Sequence, residues 1–314
     1  MSGLPTHPSA GGSSEAYFCS YCRTTGPLSA VGACLACGTH ARVDRLVSDS
    51  GWIELPGAED LAHIQFGRSH LQVAGNFVPV ADFNLVEGDR VWFSHHKLVF
   101  VEETVSLTRH NDGKSFFTKL AASMPRVLLS ASGPGHLALS DNHAGELVAL
   151  PLEAEQRMWV RDHVFLAATE SVSYEPVDNN LMVWISKGTE SERYFPLGYY
   201  DDIFHARGEK GLLLIHSPGN TMYRDLAPGE TTLVKPDALL YRDLTVRPSL
   251  IAEKPRLVNG GMFSWARPHL WLSLTGPGRV AISSKYEQPE ENISSYNSGV
   301  NSVDWSKPYP YSWR

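Results

Sequence analysis

A twenty-one-residue stretch occurs three times in this chain, and such repetition limits the fold more than any local propensity does. Leu85–Val105 (LVEGDRVWFSHHKLVFVEETV), Leu152–Val172 (LEAEQRMWVRDHVFLAATESV) and Leu226–Val246 (LAPGETTLVKPDALLYRDLTV) align without a gap. Each copy opens on Leu, carries a bulky apolar residue at its fourteenth position (Leu98, Phe165, Leu239) and closes on Val. The fourth position is Gly88, Glu155 and Gly229, followed each time by a polar residue. Arg90/Arg157, Trp92/Trp159, His96/His163 and Glu103/Glu170 are shared by the first two copies.

A second element alternates with the first. Arg126–Ser140 (RVLLSASGPGHLALS) matches His269–Ser283 (HLWLSLTGPGRVAIS), and a weaker version lies at Ile203–Ser217. The result is one unit of roughly 60–75 residues written three times. Its apolar residues alternate or come in short runs between Gly, Pro and Asp turns, which is the pattern of short antiparallel strands. Copy two alone has helix formers, LEAEQRMW, but Pro228-Gly229 and Pro236 in copy three rule a helix out there. All three copies therefore read as strand–turn–strand. A unit this small cannot bury its own apolar face, so three copies packed around a shared axis are expected, a mainly β, pseudo-threefold domain over residues 53–285. Leu85, Leu98, Val105, Leu152, Phe165, Val172, Leu226, Leu239 and Val246 are its predicted core. The glycines between the strands read as turn residues and not as a phosphate cradle, which needs a glycine loop opening a helix.

Composition adds exclusions. The chain of 314 residues carries a formal charge of −7, which opposes nucleic acid or an anionic membrane as the main partner. No apolar run approaches the roughly 20 residues of a membrane helix. The opening MSGLPTHPSAGGSSEA lacks the basic start and apolar stretch of a secretion signal, so the expectation is a cytoplasmic protein with residues 1–16 disordered.

All four cysteines, Cys19, Cys22, Cys34 and Cys37, fall within nineteen residues as C-x2-C, eleven residues, C-x2-C. Thiolates three apart on a tight turn can reach one tetrahedral Zn2+, and a second such turn completes a four-sulfur site. The competing uses are two disulfides or a redox pair. The first suits an exported protein, and the second needs neither a paired motif nor this context. Residues 17–45 are therefore expected to be a zinc ribbon whose folding energy comes from the metal. Arg23, His40, Arg42 and Arg45 give it a mildly basic surface.

Along the rest of the chain, Glu59–Gln65 and Ser115–Met124 are candidate short helices, and His70–Phe83 reads as a hairpin turning at Ala-Gly-Asn. Asn180–Ile185 and Tyr194–Phe204 are strand-like. The tail, residues 286–314, has few aliphatics but six Tyr and Trp residues. It is expected to be an extended arm that inserts Trp305, Tyr309, Tyr311 and Trp313 into pockets of a neighbouring subunit, or else folds back on its own body.

The turn Leu226–Glu230 (LAPGE), the run Gly145–Leu147 (GEL) and the closing strand Leu274–Ile282 (LTGPGRVAI) resemble the mitochondrial-biogenesis family named for altered inheritance of mitochondria. The resemblance spans about residues 53–285. It implies a duplicated all-β domain, double-stranded-helix-like and often self-associating, with a fold similar to the tryptophan RNA-binding attenuation protein. It implies no catalytic set.

Three polar groupings invite a reading as chemistry. His95-His96 sits in a strand-like segment, where neighbours diverge. Asp141, His143 and Glu146 surround a turn at Gly145 whose sister turn, Ser217–Asn220, has no such set. Tyr199-Tyr200-Asp201-Asp202 with His205 reads as a surface turn. Hydrolase, zinc-protease and P-loop signatures are missing. The expected function is that of a non-catalytic interaction protein, a homo-oligomeric β scaffold with a structural Zn2+ that could meet another protein through its ribbon. A nucleic-acid or small-ligand binding module is the alternative.

Overall fold

The computed structural model describes residues 17–19, 22–29, 33–36, 38, 45–47, 50–55, 64–110, 128–187, 190–253, 269–285 and 302–303. Among them the regular elements are strands and short 3-10 turns, with no α-helix. The first hairpin pairs β1 (Tyr17–Phe18) with β2 (Thr25–Gly26). Then follow β3 (Arg45–Val47), β4 (Trp52–Glu54), β5 (Ile64–Phe66) and β6 (Ser69–Ala74). The first copy is built from β7 (Val80–Leu85), β8 (Arg90–Ser94), β9 (Leu98–Val101), β10 (Ser106–Arg109), β11 (Leu128–Ser132) and β12 (Gly135–Ser140). Copy two supplies β13 (Glu146–Leu152), β14 (Arg157–Val160), β15 (Phe165–Thr169), β16 (Val172–Asp178), β17 (Val183–Lys187), β18 (Glu190–Tyr194), β19 (Tyr200–Ala206) and β20 (Gly211–Ser217). Copy three supplies β21 (Thr221–Leu226), β22 (Thr231–Val234), β23 (Leu239–Asp243), β24 (Arg247–Glu253), β25 (His269–Thr275) and β26 (Gly278–Ser283). In the tail, β27 (Ser302–Val303) pairs with Ile185 and Ser186 of β17 in the same chain.

The three copies pair their strands alike. Gly135, Gly211 and Gly278 face Leu85, Leu152 and Leu226, so the strand after each turn runs back along the strand that opens its block. A register shift recurs where each of β12, β20 and β26 meets the fourteenth-position strand, at Ala138/Leu139, Phe165/Ala167 and Leu239/Tyr241. Such bulges bend and twist a strand. Copies also join one another: β8 of copy one pairs with β15 of copy two, and β14 of copy two with β23 of copy three. The outcome is a six-stranded sheet (β10-β11-β8-β15-β20-β13) and an eight-stranded one (β16-β19-β14-β23-β26-β21-β4-β3). The remaining repeat strands lie in separate sheets, β5-β6-β7-β12-β9 and β22-β25-β24 among them.

The fourth-position turn explains how copy two dispenses with glycine. Gly88 and Gly229 have φ of 94° and 79°, and Glu155 takes 66° in the same place. A side chain in this region costs free energy that glycine avoids. Glu155 recovers part of it locally. Its carboxylate accepts the Gly208 N–H at 2.7 Å and lies 3.1 Å from the His205 ring. These contacts hold its pKa below the ordinary carboxylate value, the Gly208 N–H contributing most.

The core follows the repeat. Leu85, Val105, Leu152, Val172, Leu226, Leu239 and Val246 are all buried, none more than 7% exposed. Leu98 and Phe165 are only half-buried, which corrects the expectation for those two. Leu98 begins β9, which among the described residues pairs on one side only, with β12, so one flank faces out. The strand that Phe165 begins, β15, is paired on both sides, and strand pairing does not explain the exposure of Phe165. Trp92 and Trp159, at the same repeat position, are fully buried. Each needs a partner for its indole N–H, and finds a different one: Val172 O at 2.9 Å for Trp92, the Asp201 carboxylate at 2.6 Å for Trp159.

Several local expectations change. Ile64 and Gln65 belong to β5 and pair with Leu71 and His70, so the helix proposed over Glu59–Gln65 does not include them. His95-His96 opens a 3-10 turn and not a strand. Tyr200–Ala206 is a strand, not a surface turn. The hairpin over His70–Phe83 is present as β6 and β7. The body's sheets already take in Arg45–Val47 through β3. Ser115–Met124 and residues 1–16 lie outside the described residues.

Candidate metal centre

The β1–β2 hairpin is too short to hold itself together by burial, so its geometry rests on backbone hydrogen bonds around the cysteines. The Cys19 N–H donates to Thr24 O at 2.9 Å, and the Arg23 N–H returns to Cys19 O at 2.7 Å. Arg23 adopts a left-handed φ of 58° to close this turn. A second turn has the same form: the Gly38 N–H donates to Cys34 O at 2.8 Å, with Gly38 at φ 75°. Two turns of one geometry thus bring Cys19, Cys22 and Cys34 together.

Cys19, Cys22 and Cys34 are buried, and their Sγ atoms all lie within 4.8 Å of one another. The Cys22 and Cys34 sulfurs are 3.7 Å apart. A disulfide would require about 2.05 Å. Two thiolates on one tetrahedral zinc, at Zn–S distances near 2.3 Å, stand about 3.8 Å apart. The three form no disulfide with one another, and the sulfur set fits a tetrahedral metal ion. Cys37 lies outside the described residues, as do His40 and Arg42.

The cysteine cluster packs on the repeat body. The three cysteines share one apolar cluster with Ile64, Leu71, Ala149 and Leu212. An ion pair fastens the same junction: Arg23 Nη1 donates to Asp243 Oδ2 at 2.8 Å. Asp243 Oδ2 also accepts the Arg279 N–H at 2.7 Å, and the Arg279 side chain is held by both oxygens of Asp225. That double contact keeps the Arg279 pKa above its ordinary value despite burial. Beside the junction lies a groove of about 440 Å3 with Cys22 and Ala36 on one wall and Phe66, Arg90, Glu153 and Lys210 on the others.

The other polar groupings do not converge on a metal site. Asp141 accepts from His143 Nδ1 at 3.0 Å, lies 3.3 Å from His216 Nδ1, and pairs with the buried Lys97 ammonium. Glu146 faces elsewhere, accepting from Asn220 Nδ2 and the Thr221 N–H. The Lys97 cation already neutralises the carboxylate a metal would need. Burial, with Lys97 nearby, lowers His216 to a pKa of about 4, so its ring is neutral at pH 7. The sequence reading missed Lys97 and His216, because they lie 44 and 75 positions from Asp141. Asp201 and Asp202 point to separate donors, Trp159 Nε1 and Tyr174 OH, each at 2.6 Å. His205 faces Glu155. Burial pushes the Asp202 carboxyl up to about 7, with Asp162 and Asp201 adding repulsion. Trp305, Tyr309, Tyr311 and Trp313 lie outside the described residues. Among the described residues, no helix is long and apolar enough to cross a membrane.

Known proteins share parts of this chain. An uncharacterized protein of Streptococcus pyogenes serotype M6, M6_Spy0233, is 30% identical over 114 residues, 33% of this chain and 46% of that protein. The chain thus matches less than half the length of this relative. The crystal structure of SPYM3_0169 from Streptococcus pyogenes superposes with a TM-score of 0.49 at 21% identity, covering 70% of this chain and 94% of that one. The family described as mitochondrial biogenesis AIM24 matches residues 71–285, which takes in all three repeat copies. The chain belongs to the AIM24 mitochondrial-biogenesis family.

Proposed function

We propose that this protein is a non-catalytic, self-associating β scaffold that carries a structural zinc ribbon. The observation that carries this reading is that the polar clusters of the body fasten strands to one another. Asp141 with Lys97 and His216, Asp201 with Trp159, and Asp202 with Tyr174 each bridge separate elements and leave no convergent acid, base and nucleophile among the described residues. The matching registers of the three copies support a pseudo-threefold body. Zn2+ would be held by Cys19, Cys22, Cys34 and Cys37, since Cys37 precedes Gly38 as Cys22 precedes Arg23. Bound there, zinc supplies folding energy and no open position for water or substrate. Nucleic acid is the weaker partner, because the chain is acidic and Arg23 is occupied by Asp243.

The test is purification of the full chain without chelator. One zinc per chain, a defined oligomer and no excess absorbance at 260 nm are the expected results. A zinc-free protein sinks the ribbon assignment, a monomer the scaffold, and co-purifying nucleic acid favours a binding module.

A further inference from the structure

Two of the junctions between copies are closed by strand pairing, and the same arithmetic specifies a third. Residue eight of the block pairs with residue seventeen of the next copy: Trp92 with Ala168, and Trp159 with Arg242. Residue nine pairs with residue sixteen: Phe93 with Ala167, and Val160 with Tyr241. Continued from copy three to copy one, the rule sets Leu233 opposite Val101 and Val234 opposite Phe100. In the chain, β22 and β9 instead end two different sheets, and among the described residues no strand pairs with their outer edges.

The exposure of these edges is out of line with their sequence. Val99 is 58% exposed, whereas its counterparts Leu166 and Leu240 are 0% and 1%. Phe100 is 46% exposed against 0% for Ala167 and 1% for Tyr241. Leu233 is 45% exposed, and its counterparts Trp92 and Trp159 are both at 1%. Solvent-facing edge strands are ordinarily guarded by charge or proline. Neither Leu98–Val101 (LVFV) nor Thr231–Val234 (TTLV) contains any.

We infer that these two edges form the interface with a second copy of this chain, β9 of each protomer pairing antiparallel with β22 of the other. The edges are complementary to each other, not each to itself, so one two-fold axis satisfies both at once and yields a closed dimer. The apolar side chains at the seam then become as buried as their counterparts in the two internal junctions. This rests on the self-association proposed above, and identifies the surface that performs it.

The test uses light scattering on the full chain with Val99→Lys, which the same register sets opposite the native Lys235, and Leu233→Glu, both at exposed positions and therefore compatible with folding. Diagonal neighbours across a strand pair are within reach of long side chains. Wild type is expected at twice the mass of one chain. Each variant alone, at the same concentration and with unchanged circular dichroism, is expected at the mass of one chain, because every seam then receives an unpaired charge. An equimolar mixture of the two is expected to return to twice that mass: one seam sets the introduced carboxylate against the introduced ammonium, and the other is native. Variants that keep the wild-type mass overturn the seam while self-association stands. A mixture that stays monomeric overturns it too, since the variants then act within one chain. A monomeric wild type, with β9 and β22 amides protected from exchange, removes self-association and shows that the two edges meet within the chain.

Discussion

Around Cys19, Cys22 and Cys34, order rests on three sulfurs within 4.8 Å and a few backbone hydrogen bonds, whereas around Trp92 it rests on stacked aromatic rings. Trp92 lies 4.5 Å from Phe165 and 6.3 Å from Phe204 by ring centroid, in a cluster that also holds Leu152, Val172 and Tyr241. The difference shows which loss each region can survive. A large apolar cluster loses one member at a local cost, while a metal centre of the kind proposed for the cysteines would fail as a unit. The two regions touch through the cysteines' packing and the Arg23–Asp243 ion pair, so the contrast can be tested without separating them.

The largest effect is expected from taking the metal away. Structural zinc sites in small domains contribute on the order of 10–16 kcal/mol of binding free energy at neutral pH, all of it folding free energy. Chelation, or Cys22→Ser, should abolish amide protection over residues 17–38 while Leu137, Leu214 and Val280 stay protected. Hydrogen exchange resolved by residue checks this. Global unfolding on chelation would mean that the ribbon is part of the body's core and not an appendage.

Within the body, Leu239→Ala should cost about 2–5 kcal/mol, and Leu98→Ala, at the same repeat position but half-buried, below about 2 kcal/mol. Denaturant midpoints of the two variants give the comparison directly. Equal losses would mean that repeat position and not burial sets the cost. This pair also marks the limit of what the sequence conveys. Alternation, turns and the three aligned blocks announce which residues turn inward, because apolar period and register are local properties. Which flank is left bare depends on whether a partner strand arrives, and that is decided by residues far along the chain. The cysteine turns were legible for a related reason, since all four cysteines fall in one short stretch. The polar pairs were not. Asp201 and Asp202 look like a surface turn until Trp159 and Tyr174, 42 and 28 positions away, supply donors for them.

A third comparison uses pH, to which the cysteine region and Asp202 of the body should respond in opposite directions. The proposed zinc would bind thiolates, so acid should weaken the ribbon. Asp202 has a folded pKa of about 7, above its ordinary value of about 4, so the folded state holds the proton more tightly. Its stabilising contribution is complete below pH about 4 and is lost as pH rises to about 7. His216, lowered to about 4, works the other way, contributing more as pH rises from about 4 to 6.5. Asp202→Asn keeps an acceptor for Tyr174 and removes the ionisation. Its melting temperature should exceed that of wild type by a margin that widens between pH 5 and 8. A constant margin would show that the Asp202 carboxyl titrates in its ordinary range.

The smallest effect is expected at the joint. Arg23 is about one-third exposed and Asp243 largely buried, so solvent screens part of their attraction, and such pairs contribute at most about 1 kcal/mol. After Arg23→Ala the Asp243 Oδ2 keeps the Arg279 N–H, while its buried Oδ1 has no hydrogen-bond partner among the described residues with or without Arg23. The body's melting temperature should therefore move little. The backbone of Arg23 holds the turn through Cys19 O, and Ala keeps that N–H, so zinc stoichiometry should also be unchanged. What should change is the coupling between the regions. With the ion pair gone, the ribbon keeps its apolar contacts with the body but loses that anchor, and exchange over residues 17–38 should quicken several-fold in the zinc-loaded protein. Gly at position 23 relieves the left-handed backbone as well as removing the charge, so Arg23→Gly should bind zinc at least as tightly as Arg23→Ala while loosening the joint equally. Loss of zinc from both variants would instead make Arg23 a support of the metal turn itself, and the two regions one cooperative unit.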